Sequence, residues 1–167
     1  MDSSDPDIRL NDQGVCNHCL RYDQLRTQYL LPLPERQNAL TSTITEIQRK
    51  GRGRAYDCVI GISGGIDSTY LAYKAKELGL RPLAVHLDNG WDSELAVSNI
   101  EKTLKKLGID LLTKVLQWEE FRDLQISFLR SATPDVEIPT DHAIVALLYQ
   151  TALKHKIPYI VIGTNIE

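Results

Sequence analysis

The stretch that most constrains this chain is Asp57 to Ser68, DCVIGISGGIDS, an apolar run that opens into Ser63-Gly64-Gly65 and then into the helix-like start Asp67-Ser68-Thr69. Such a run reads as a strand, a glycine turn and a helix N-terminus. A turn of this kind points successive backbone N–H groups outward, and the helix adds its unpaired amides and the positive end of its dipole, so the site attracts an anion. The glycines permit positive φ and let backbone approach a phosphate with no Cβ in the way. Ser63 and Ser68 add hydroxyl donors. The turn fits neither GxxxxGK[ST] nor GxGxxG, and no lysine follows to grip a γ-phosphate.

Around this stretch the chain alternates. Expected strands at 57–62, 82–87, 110–116 and 158–163 are separated by helices at 67–78, closed by Gly79, at 93–107, closed by Gly108, at 118–130, and from a Thr140 N-cap to about His155. Leu71, Ala75 and Leu78 form one inner helix face; Ala96, Ile100, Leu104 and Leu107 form another, and Phe121, Leu124 and Phe128 a third. The pattern is α/β, a doubly wound parallel sheet. Right-handed crossovers give the strand order 3-2-1-4 and a switch point between the first and fourth strands, where ligands bind. Ser63-Gly64-Gly65 and Gly163-Thr164-Asn165 then face one crevice, with Glu167 close behind. His86 and Asp88, at the end of the second strand, are placed beside an adenosine or else form a solvated turn.

The first 54 residues read as an appendage with two helices, one carrying Tyr22, Leu25 and Tyr29 and stopped by Pro32 and Pro34, the other facing inward through Leu40, Ile44 and Ile47. Cys16 and Cys19 form a CxxC. Two thiolates are half of a zinc site, so the pair is either a partial zinc site or two ordinary thiols. Cys58 reads as a small buried hydrophobe. The segment Asp135 to His142 gathers Asp135, Glu137, Asp141 and His142 before a helix, as dipole-matched first-turn residues or as substrate contacts or a Mg2+ ligand. With 167 residues and 43% hydrophobic content, one full core is available. The net charge of −3 argues against a nucleic-acid surface. Three cysteines and no membrane-length apolar run point to a reducing, cytoplasmic setting.

Ser63-Gly64-Gly65-Ile66-Asp67-Ser68 resembles the SGGxDS motif of the PP-loop ATP pyrophosphatases, an adenine nucleotide alpha hydrolase-like fold. Together with GVCNHC, AVHLDNGWDSELAVSNI, DVEIPTDH and GTNIE, it resembles the N-acetyl sugar amidotransferases of surface-polysaccharide (lipopolysaccharide) biosynthesis. The resemblance implies ATP and Mg2+ as cofactors. Ser63 to Ser68 would hold pyrophosphate, Asp67 and Ser68 would act catalytically with Asp67 placing the metal, and Asp135 to His142 would line the sugar side. The implied reaction adenylates the acetamido group of a nucleotide-activated N-acetyl sugar, and ammonia from a partner glutaminase displaces AMP to leave an acetamidino sugar. A tRNA thiolase of the same superfamily and a non-catalytic nucleotide-binding fragment are the alternatives. The family pattern has an earlier CxxC and continues past the fourth strand, so the chain resembles a piece of that enzyme, divided at 1–54 and 55–167. An apolar edge from Tyr159 to Gly163 is then expected to recruit a second copy, with little turnover and less than one zinc per chain.

Overall fold

The computed structural model describes residues 4–164. Its elements run α1 (Asn17–Tyr29), α2 (Leu33–Lys50), β1 (Cys58–Gly61), α3 (Ile66–Glu77), β2 (Pro82–Asp88), α4 (Glu94–Leu107), β3 (Asp110–Val115), α5 (Trp118–Arg130), α6 (Ile138–Lys154) and β4 (Ile160–Val161). Packing divides the chain between Thr43 and Ile44, inside α2, into two compact units.

The larger unit is built on a parallel sheet in the order β3-β2-β1-β4. β1 and β2 alternate side chains between two cores, as parallel strands covered on both faces must. Cys58, Ile60, Ile62 and Ala84 meet Ala72 and Ala75 of α3 and Ile100 and Leu104 of α4. Val59, Leu83 and Val85 meet Leu148 and Ala152 of α6 on the opposite side. Because all four strands are parallel, their carboxyl ends share one rim, and every loop that could carry chemistry leaves from it.

Local signals set most boundaries. The Ser93 hydroxyl accepts from the Ala96 amide and opens α4, and Gly108 closes it at φ 61°. Several expectations are corrected. Thr140 does not cap α6: the helix begins at Ile138 behind Glu137, with Pro139 in its first turn, where a missing N–H costs nothing, and Thr140 is buried. Pro34 likewise lies within the first turn of α2 and does not end α1. The inner stripe of α5 runs through Phe121 and Gln125, while Leu124 faces solvent. Leu40 on α2 is also exposed. β4 pairs over only two residues, Ile160 with Val59 and Val161 with Ile60, and Ile162 beyond it is exposed.

Where the linker enters the sheet, Asp57 is 1% exposed, and its carboxylate accepts from the Arg81 backbone amide and from the Arg81 guanidinium. The same guanidinium donates to the carbonyls of Arg54 and Gly51. One cation thus ties the linker to the amino ends of β1 and β2. Removing it leaves a buried carboxylate without its counter-ion. Arg81→Ala is expected to lower unfolding stability by about 3 kcal/mol, measured by urea denaturation.

In the smaller unit, Leu10 and Cys16 form an isolated antiparallel bridge, and Cys16 is the N-cap of α1. Its Sγ accepts from the Cys19 amide at 3.3 Å, which holds the Cys16 thiol below its ordinary range, while the neighbouring sulfur raises Cys19. His18 Nε2 lies 2.7 Å from an Asp5 carboxylate oxygen.

Candidate functional site: the glycine turn after β1

β1 ends at Gly61, and residues 62–65 turn the chain into α3. Gly64 adopts φ +75°, and a Cβ there would stand 2.3 Å from the Ala96 carbonyl oxygen and 2.9 Å from the Ala96 Cα. The first turn of α4 therefore presses backbone to backbone against the loop, and only glycine fits. Asn99, one turn further along α4, donates its side-chain amide to the Gly64 carbonyl at 3.3 Å. Gly65, the N-cap of α3, is different: an added Cβ would meet only Ser63 Oγ, at 3.5 Å. The space above Gly65 is open.

Ser68 closes the turn from inside the helix. Its Oγ accepts from the Ser63 amide at 3.1 Å, donates to the Gly65 carbonyl at 3.3 Å and lies 3.1 Å from Ser63 Oγ. The first intrahelical bond runs from the Thr69 amide to the Gly65 carbonyl, so the amides of Ile66, Asp67 and Ser68 precede it at the helix entrance. Two hydroxyls and a helix N-terminus thus surround one point at the rim. Asp67 lies in the first turn of α3 and is exposed. Gly163, past β4, stands against this turn: its Cβ position is 3.6 Å from the Asp67 carbonyl oxygen and 3.7 Å from Leu71. The end of β4 therefore meets the glycine turn at the switch point. Thr164 is exposed and falls outside this compact unit, and Asn165 and Glu167 lie outside the described residues.

His86 is buried, with Nδ1 3.0 Å from the Ile62 carbonyl and Nε2 3.2 Å from Asp92 Oδ2. That carboxylate oxygen is buried with no hydrogen bond of acceptable geometry, so the approach is close but misaligned. An imidazole so enclosed holds the residue before Ser63 against the β2–α4 loop, which makes His86 a positioning residue. Asp88 Oδ1 accepts from the Gly90 amide at 3.0 Å and shapes the same loop.

Asp135 Oδ1 accepts from the Glu137 amide at 2.8 Å, a local turn ahead of α6. His142 Nδ1 lies 2.9 Å from the Ile138 carbonyl of its own helix, and Asp141 is an exposed first-turn residue. Glu137 of this group lines a cavity of about 510 Å3 formed with Trp91, Trp118, Arg122 and Gln125. A larger groove of about 870 Å3 runs between α3 and α4 from Gly64 and Gly65 toward Tyr73 and Lys106. Chemistry outweighs size in choosing the candidate anion site, since the amides and hydroxyls converge at the turn. Asn99, Asp92 and the two tryptophans were not singled out by the sequence, because their roles arise from crossing between elements. Among the described residues, no group of three or more His, Cys, Asp or Glu side chains is arranged to hold a metal ion. The Cys16–Cys19 pair brings two of the four ligands a structural zinc needs. No helix among the described residues is long and apolar enough to cross a membrane.

No protein-family model matches the chain. It is 38% identical over 79 residues to the GMP synthase (glutamine-hydrolyzing) of Pyrobaculum aerophilum, covering 46% of this chain and 15% of that protein. It is 36% identical over 67 residues to the tRNA(Ile)-lysidine synthase of Chlamydia pneumoniae, covering 39% of this chain and 21% of that one. Among solved structures, the NH3-dependent NAD synthetase of Campylobacter jejuni subsp. jejuni NCTC 11168 superposes with a TM-score of 0.53 at 17% identity, over 77% of this chain and 56% of that one. These relatives and neighbours are PP-loop ATP pyrophosphatases, and the fold is their parallel α/β sheet in the order 3-2-1-4. The chain spans about a fifth or less of the curated relatives it matches and about half of this structural neighbour.

Two variants separate the parts of the turn. Gly64→Ala adds both left-handed strain and a collision with α4 backbone and is expected to cost about 2 kcal/mol or more of stability. Gly65→Ala should unfold at nearly the same temperature as the parent chain. Differential scanning calorimetry of the pair checks the contrast.

Proposed function

We propose that the chain is the nucleotide-binding part of an ATP-dependent adenylating amidotransferase, which converts the acetamido group of a nucleotide-linked N-acetyl sugar into an acetamidino group. The observation that carries this reading is the turn itself: Ser63 and Ser68 hydroxyls and the amides of Ile66 to Ser68 surround an open space above Gly65. This donor set suits the leaving pyrophosphate of ATP. The 38% identity to a glutamine-hydrolyzing GMP synthase over 79 residues supports an amidating member of the PP-loop enzymes.

The reaction balances without a protein nucleophile. The acetamido oxygen attacks the α-phosphorus, the α–β bond breaks and pyrophosphate leaves into the Ser63–Ser68 turn. Ammonia then adds to the imidate carbon, the C–O bond breaks, and AMP departs with the original amide oxygen as the amidine forms. Catalysis is positioning and charge neutralisation. Asp67 fits a Mg2+ held by one carboxylate and phosphate oxygens; when bound, the ion supplies charge neutralisation on those oxygens. Amides and hydroxyls of the turn orient the departing group, and His86 with Asn99 keeps the turn fixed. Ammonia comes from a partner glutaminase in this reading.

A tRNA-directed reaction is the second reading, favoured by the relationship to tRNA(Ile)-lysidine synthase. A sulfur-transferring version finds no support at β1: Cys58 is fully buried, and burial pushes its thiol up to about 12.

With ATP, Mg2+, ammonium and UDP-N-acetylglucosamine, the expected products are AMP and pyrophosphate, with one 18O passing from a labelled acetamido carbonyl into AMP by mass spectrometry. ADP and inorganic phosphate would refute the assignment. Ser68→Ala should weaken ATP binding by about 1.5 to 3 kcal/mol, and Gly65→Val should abolish it while leaving the chain folded, both read by isothermal titration calorimetry.

A further inference from the structure

The carboxyl rim carries a second concavity that the adenylation chemistry does not use, the cavity of about 510 Å3 lined by Trp91, Trp118, Arg122, Gln125, Leu129 and Glu137. Trp91 leaves the rim in the loop after β2, and Trp118 opens α5 just after β3. Their rings meet edge to face with centroids 5.6 Å apart. Gly90, at φ +85°, lets the loop run against Trp118, since a Cβ there would lie 2.9 Å from Cε3. Trp91 Nε1–H donates to Gln125 Oε1 at 2.8 Å, and Gln125 is 8% exposed. The indoles are thus held in place by a buried amide and a glycine contact, yet Trp91 remains 65% and Trp118 39% exposed. Rigid aromatic area left open to solvent is unusual in a structure that could have buried it, and it suits a planar ligand.

The charges narrow the class. Arg122 is half-exposed and, among the described residues, its guanidinium bonds the solvated carboxylate of its neighbour Asp123, a contact of little worth that an anion can displace. Glu137 brings an exposed carboxylate, an acceptor for a diol. A flat aromatic face, a guanidinium and a carboxylate match a base, a diphosphate and a ribose. Asn89 links this loop to the first turn of α6 through Thr140 Oγ1, at 3.5 Å. We infer that the cavity is the seat of the nucleoside-diphosphate end of the sugar substrate, with a pyrimidine against the indoles, the diphosphate on Arg122 and the ribose on Glu137. This inference rests on the sugar-amidotransferase reading. Anchoring the remote end here leaves the acetamido group free to reach the turn after β1, so that binding energy far from the reacting atoms positions them.

The chain has two tryptophans, and both line this cavity, so tryptophan emission excited at 295 nm, where the seven tyrosines absorb little, reports on it. In titrations of the full chain, UDP and UDP-N-acetylglucosamine should quench tryptophan emission, and free N-acetylglucosamine should not. Arg122→Ala should weaken UDP binding about tenfold or more; Glu137→Gln should weaken it less, and both should leave ATP affinity unchanged. Ser68→Ala should do the reverse. If ATP quenches the tryptophans and displaces UDP, the cavity is an adenosine seat and the inference is overturned. Failure of UDP to bind, or binding by calorimetry without a tryptophan response, overturns it equally. Neither result touches the formation of AMP and pyrophosphate, which tests the parent reading separately.

Discussion

The rim chemistry depends on the burial of β1 on both faces. Cys58, Ile60 and Ile62 are locked under α3 and α4, while Val59 is locked under α6. A strand held this way cannot slip by one residue without turning every side chain into the wrong core. The point at which the chain leaves the sheet is therefore fixed, and with it the direction of α3 and its unpaired amides. A candidate anion site made of backbone needs that rigidity, because its donors have no side-chain freedom to adapt.

Three contacts then set the shape of the turn from outside. Gly64 lies against Ala96 backbone, Asn99 holds the Gly64 carbonyl, and His86 lies against the Ile62 carbonyl. All three come from β2 or α4, so the second βα unit serves as a mould for the first. The loop of the same unit, at Gly90 and Trp91, lies against Trp118 of α5, so the second βα unit borders both the aromatic cavity and the glycine turn.

The division of labour between charged groups follows from burial. Asp57 is enclosed, so it needs Arg81, and the pair works as a clamp at the amino ends of the strands. At the opposite rim, Asp67, Glu137 and Asp141 are exposed and form no ion pair among the described residues. The acidic group before α6 separates in its contacts: Asp135 makes a local turn and His142 bonds its own helix, whereas Glu137 faces a cavity.

The alternation of apolar runs with helical periodicity, broken by glycine and capped by residues such as Ser93, determined the strand order, three of the four main helices and the glycine turn at the switch point. These are local or pairwise rules, which sequence states directly. The same rules misplaced the start of α6 and the inner stripe of α5, because Pro139 is permitted in a first turn and Gln125 is buried and hydrogen-bonded to a tryptophan 34 residues away. Tertiary structure alone decided that Gly64 answers to α4 and Gly65 to open space, that His86 holds backbone, and that both tryptophans border one cavity. Each of these depends on two elements distant in the chain meeting at the rim, a fact carried by packing and not by any single segment.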